Sequence, residues 1–263
     1  MKTSYQFRKY NPIWIGAKAY LWGRSLASLN SDDLIFAFHP KTGSTWVRIF
    51  FYNLFRDKSN DFTFDELNQT MPEFGNKSLF KRWPFQNVPR IIKTHQPYRS
   101  FFKKNKKILF ARDPRDTMYS YLHYANAKKA FGFSGDLKDL VYSQEFGLEQ
   151  YMRFYQSWVD KAELIIKYEE LIADQTETFF KLVQTLELPF SREDVIEAVE
   201  LSSIEKTRKA QEKSEKYFQY GFDNKFIFAR KGQAGDGVAQ FSSELNIYYS
   251  KLRNQYNFNL YDF

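Results

Sequence analysis

Lys41, Thr42, Gly43, Ser44 and Thr45 lie in the stretch "FAFHPKTGSTW", Phe36 to Trp46, where an apolar run gives way to a helical pattern. A strand-to-helix turn gathers free backbone N–H groups and the positive end of a helix dipole, which together suit an anion. Gly43 lets the backbone come close to such a group, Ser44 and Thr45 add hydroxyls, and Lys41 adds a full charge. The triphosphate loop reads G-x-x-x-x-G-K-[ST], and here the lysine precedes the glycine instead. A capped helix start can carry the same residues, so this loop alone leaves both readings open.

Three more groups have the makings of chemistry. In "KILFARDPRDTMYSY", Arg112 ends an apolar run, and Ser120 follows two helical turns on, on a face similar to that of Asp116 and Thr117. An arginine at the carboxyl end of a strand points into the crevice where α/β sheets bind ligands, and its planar fork suits phosphate. An ion pair with a neighbouring Asp is the competing use. In "IIKTHQP", Lys93 and His95 alternate with Thr94, so both can face one side of a strand. Nearby positive charge disfavours protonation of His95, and neutral imidazole is what a general base requires. A lone histidine also serves structural ends. In "RKGQAGDG", Arg230 and Lys231 precede Gly232, pairing two cations with exposed backbone amides; a solvated basic turn reads the same way.

The elements that must position these groups are legible as alternation. "DLIFAF" (33–38), "RIIKTH" (90–95), "KKILFAR" (106–112) and "ELIIKY" (163–168) read as buried strands without strict polar alternation, as in a parallel sheet covered on both faces. Helical patterns start near Ser44 and at Asp113, where Asp113, Pro114 and Asp116 match an N-cap, a first-turn proline and an acidic third position. "LEQYMRFYQSWVDKAE" and "TETFFKLVQTLEL" continue the pattern. The expectation is an α/β fold, three-layer and P-loop-like, with a central, mostly parallel sheet flanked by helices. Segments 56–89 and 126–146 carry no clear strand or helix signal and read as binding loops or lids. With no repeat and no strong linker, residues 1–263 are expected to form a single domain.

Composition narrows the field. The chain has no cysteine, which excludes disulfides, thiolate metal sites and cysteine nucleophiles. His39, His95 and His123 are too dispersed to argue for a metal cluster. Aromatic content of 19% fits either a ring-lined pocket or an aromatic-rich core. A net charge of +8 favours anionic partners, but Lys2, Arg8, Lys9, Lys18 and Arg24 concentrate much of it in residues 1–30, and more sits in the motifs above. That distribution argues against a nucleic-acid partner. The basic segment 1–30 reads as an arm or substrate-side helix rather than a targeting signal. No apolar run approaches the ~20 residues of a membrane span.

Taken together, "HPKTGSTW", "KTHQP", "ARDPRDTMYSY", "KYEEL" and "RKGQAGD" resemble the cytosolic-type sulfotransferases in order and spacing, over about residues 33–245. The resemblance implies a sulfotransferase (EC 2.8.2 class) that uses 3'-phosphoadenosine 5'-phosphosulfate (PAPS), releases 3'-phosphoadenosine 5'-phosphate (PAP), requires no metal and works in the cytoplasm. It implies that Lys41, Thr42, Gly43, Ser44 and Thr45 hold the phosphosulfate end. Trp46 and Tyr168 would contact the adenine, with Ser202 at a nucleotide-binding threonine position, and Arg112, Ser120, Arg230, Lys231 and Gly232 would hold the 3'-phosphate. His95 is implied as the base, with Lys41 and Lys93 beside the transferring group. The acceptor is expected to be a small molecule, hydrophobic or aromatic, carrying a hydroxyl or amine. Ile204 stands where an aromatic stacks on adenine, Gly237 stands where tryptophan is usual, and "VAQFSSELNI" lacks the family's dimer motif. A nucleotide-dependent phosphotransferase or kinase is the alternative.

Overall fold

Four runs rich in Ile, Leu and Phe make the frame, because residues buried on both faces leave a strand no polar side. In the computed structural model, which describes residues 12–57, 62–214, 221–222 and 232–261, these runs are β1 (Leu34–Phe38), β2 (Ile91–Thr94), β3 (Lys106–Ala111) and β4 (Leu164–Lys167). They pair in parallel in the order β2-β1-β3-β4, with Phe36 opposite Lys93 on one side and Ile108 on the other. Each strand is a residue or two shorter than its apolar run, because the terminal residues turn into loops or, at Tyr168, into a helix. Those trimmed residues include Arg112, His95 and Tyr168, so the frame ends where the chemistry starts.

Alternate residues of the strands feed two cores, one on each face. Leu34, Phe36, Phe38, Ile108 and Phe110 pack under α2 (Ser44–Phe55), α8 (Gln175–Thr185) and α9 (Arg192–Leu201). Ile35, Ala37, Ile92, Leu109 and Ala111 pack under α4 (Pro114–Ala127), α6 (Leu148–Trp158) and α11 (Ser243–Gln255). This is the expected three-layer α/β arrangement. Most rings belong to these cores, as in the stacked Phe50–Phe179 pair at 3.7 Å, and a smaller set faces the cleft described below.

Segments without sequence signal hold short helices. Residues 56–89 contain α3 (Phe64–Thr70) and a 3-10 turn (Lys77–Phe80), and residues 126–146 contain α5 (Leu137–Val141). Both helices start on a reciprocal cap: Thr63 with Glu66, and Asp136 with Asp139. The N-terminal segment carries α1 (Pro12–Ser28), and the rest of the basic arm, residues 1–11, lies outside the described residues. β4 leads directly into α7 (Tyr168–Ala173), and α10 (Ile204–Lys213) follows α9. No helix among the described residues is long and apolar enough to cross a membrane.

Candidate active site

The carboxyl ends of the strands open into one cleft of about 950 Å³. Lys41, Gly43, Ser44, Thr45 and Trp46 reach it from the β1–α2 turn, Lys93 and His95 from β2, and Arg112 from β3. Ser120 of α4, Tyr168 at the start of α7, Ser202 and Gly232 complete the set of expected residues along its wall. Arg230 and Lys231 lie outside the described residues.

The β1–α2 turn has the build of an anion cradle. Gly43 is the N-cap of α2 with φ +92°, and no side chain caps the N–H groups behind it. A side chain on Gly43 would stand 3.0 Å from the Tyr168 ring, so backbone conformation and close approach both require glycine. Lys41 is also in the left-handed region, φ 72°, and its ammonium sits 4.7 Å from the Tyr124 ring centre. Thr42 behaves differently from its neighbours. It is buried, and its hydroxyl donates to the His39 carbonyl at 2.8 Å, so its side chain braces the loop. Trp46 meets Tyr168 edge-on at 5.8 Å.

Arg112 lies over the Tyr168 ring, with 4.3 Å from guanidinium carbon to ring centre. It donates to the Gln233 carbonyl at 3.0 Å. Its Nε is buried and has no hydrogen-bond partner among the described residues. A buried, unmatched N–H costs about 1–3 kcal/mol, and more on a charged group, so this Nε is open to an acceptor. The competing use, an ion pair with Asp116, is present only at 3.8 Å.

Asp116 has another task. Asp113 caps α4 as expected, through the Arg115 N–H at 2.8 Å, but Asp116 does not return to the cap. Its carboxylate, 1% exposed, accepts from the Gly235 and Gly237 N–H groups, both at 2.6 Å. The glycine-rich turn is thereby fastened to the first turn of α4. A side chain on Gly237 would meet the Arg115 carbonyl at 2.3 Å, which explains why this chain has glycine there. Gly232, φ +66°, packs against Ile204, whose Cδ1 would lie 3.1 Å from any added Cβ.

His95 Nδ1 lies 2.7 Å from the Phe38 carbonyl oxygen. A carbonyl only accepts, so Nδ1 carries the proton and Nε2 keeps the lone pair. Burial, then Lys93, push His95 down to about 4, against the opposing pull of Glu73 and the Phe38 carbonyl. The neighbouring lysine acts as the sequence implied, but burial is the larger cause. Burial also lowers Lys93, opposed by Glu73, whose Oε2 is 2.9 Å from Nζ. Burial by itself raises Glu73; Lys93 and then His95 outweigh it and hold the carboxyl at about 2.

Residues 31–255 match the family described as "Sulfotransferase domain", which is most of the chain. The chain belongs to the sulfotransferase family. It is 27% identical to human sulfotransferase 1E1 over 85% of this chain and 83% of that one. It is 26% identical to cytosolic sulfotransferase 15 of Arabidopsis thaliana, over 80% of this chain and 68% of the relative. Its fold resembles that of mouse sulfotransferase SULT7A1, solved with PAP, at TM-score 0.68 and 19% identity over 91% and 90% of the two chains. Retinol dehydratase, solved with retinol and PAP, gives TM-score 0.70 at 17% identity over 96% and 88%. This sulfotransferase is therefore a transferase of the sulfuryl-transfer class, and the kinase alternative finds no support.

Several cleft residues of the sulfotransferase gave no signal in its sequence. Glu73, Asn68 and Asn76 come from the segment around α3, and Tyr121, Tyr124 and Lys128 from α4 and its end. Arg48 lies in the apolar run of α2. Its guanidinium donates to the Leu67 and Met71 carbonyls at 3.1 and 2.9 Å, which fastens the end of α3. Ser202 lines the cleft, but its hydroxyl donates to the Ala198 carbonyl at 2.6 Å and accepts from Asn53 at 3.2 Å. That hydroxyl proton is not directed at a ligand.

Proposed function

We propose that this sulfotransferase moves the sulfuryl group of PAPS to a hydroxyl or amine of a small acceptor, with His95 as the base. The observation that carries the reading is His95 itself, its Nδ1 fixed by the Phe38 carbonyl and its Nε2 left as a lone pair in the same cleft as the β1–α2 cradle. PAPS, when bound, supplies the activated sulfuryl group. The donors fit its two anionic ends. The uncapped N–H groups behind Gly43, with Lys41, Ser44 and Thr45, suit the phosphosulfate, while Arg112, Ser120 and the turn at Gly232 suit the 3'-phosphate. Trp46 and Tyr168 offer ring faces and edges for the adenine.

His95 takes the acceptor's proton as its oxygen or nitrogen bonds to sulfur. The bond from sulfur to the bridging phosphate oxygen breaks, and its electron pair stays on that oxygen. Lys41 and Lys93 stabilise the charge that builds there. Tyr121, Tyr124, Phe131 and Phe222 also line the cleft and suit a hydrophobic or aromatic acceptor. In this reading residues 1–263 act as one domain around one cleft. The relatives named cytosolic support a cytoplasmic location.

The test is transfer of radiolabelled sulfur from PAPS to a panel of phenols, alcohols and amines. Labelled product that needs PAPS, and competition by PAP, are expected. Phosphate transfer from ATP with magnesium, and none of sulfur from PAPS, contradicts the proposal.

A further inference from the structure

Glu73 is out of place in a site where negative charge builds. A carboxylate facing a developing anion opposes the reaction unless it serves a nearby cation. The backbone holds it there from two sides. Residues 72–74 run parallel to the edge of β2, with the Lys93 N–H donating to the Pro72 carbonyl at 3.0 Å and the Phe74 N–H donating to the Lys93 carbonyl at 2.8 Å. Arg48 fastens the preceding Met71 carbonyl from α2. The Glu73 side chain then reaches Lys93 Nζ at 2.9 Å, with 31% of the carboxylate side chain and 10% of the lysine side chain exposed, in the cleft that also holds His95.

We propose that Glu73 is a positioning residue of the transfer site: it holds the Lys93 ammonium in place and offsets the charge His95 gains with the acceptor's proton. The inference rests on reading His95 as the base. Lys93 is too buried to stay charged and aimed without a counter-ion. Protonated His95 stands beside Lys93 and within the influence of Arg48 and of the second buried imidazole, His39. Lys128 acts on Lys93 from the end of α4, and the Lys41 ammonium sits against the Tyr124 ring. Tyr124 stays a neutral phenol there, raised by burial and then by Glu73. Against these cations, Glu73 is, among the described residues, a negative group that acts on both members of the pair.

The experiment follows the His95 ring by NMR in histidine-labelled protein saturated with PAP, with the resonance assigned by its loss in His95→Gln. In Glu73→Gln the His95 titration should move about one pH unit or more below the wild type, and Glu73→Asp should restore most of it. In Lys93→Met, where the carboxylate faces His95 without its lysine, the titration should rise by about a unit or more. PAP affinity within about twofold of wild type in each variant would show the nucleotide wall intact. A His95 titration unmoved in both Glu73→Gln and Lys93→Met overturns the inference. The base reading fails separately, through turnover that survives removal of the imidazole.

Discussion

On one side of the cleft, the groups suited to the nucleotide sit at the ends of regular elements: Gly43 to Trp46 at the start of α2, Arg112 at the end of β3, Tyr168 at the start of α7. On the other side, the groups around the proposed acceptor come from α3, the 72–76 segment and the end of α4, held by long-range contacts such as Arg48 to Met71 and Glu73 to Lys93. The first wall gets its shape from secondary structure, since a helix start presents its N–H groups whatever lies around it. The second depends on a short backbone bridge and on side chains that pin an irregular segment to β2 and α2. The frame can therefore hold one wall fixed while the other varies.

Arg112→Ala should separate the walls most strongly. It removes the stacked guanidinium and its open Nε, and charged hydrogen bonds of this kind are worth about 1.5–3 kcal/mol each. PAP affinity, measured by calorimetry, should fall roughly 10- to 100-fold. Ser202→Ala is the control on the same wall: its hydroxyl proton already goes to Ala198, so PAP affinity should hold. A large loss in Ser202→Ala and none in Arg112→Ala would erase the distinction.

Asp116→Ala should have the smaller effect. It frees the Gly235 and Gly237 N–H groups and releases the glycine-rich turn from α4 without touching the proposed phosphate cradle at Gly43. A loss of PAP affinity of about 3- to 10-fold is expected, since a tethered turn mainly saves ordering cost. Unchanged affinity would mean that the turn contributes nothing to nucleotide binding.

The same division decides what could be read in the sequence. The strands were legible because apolar residues dominate each run, and residues at or just past the strand ends, Lys41, His95, Arg112 and Tyr168, all line the cleft. α3 and α5 were not, because seven and five residues are too few for a 3.6-residue period to declare itself. Their capping pairs, Thr63 with Glu66 and Asp136 with Asp139, were the signal that could have found them. Glu73 left no such trace. Its placement depends on a parallel bridge to Lys93, and Arg48 hides in a helix that otherwise reads as core. Asp116 was legible as a helix-start residue but not as the anchor of a distant glycine turn.

Binding and chemistry should come apart at His95. The most direct measurement assays His95→Ala twice, by equilibrium titration with PAP and by turnover of labelled PAPS with an acceptor from the panel. PAP affinity should stay within about twofold, because the imidazole contributes nothing to the cradle. Turnover should fall by about 10²- to 10⁴-fold, the range a positioned general base supplies. Turnover that persists near the wild-type rate would contradict the account, because it would leave the acceptor's proton with some other group.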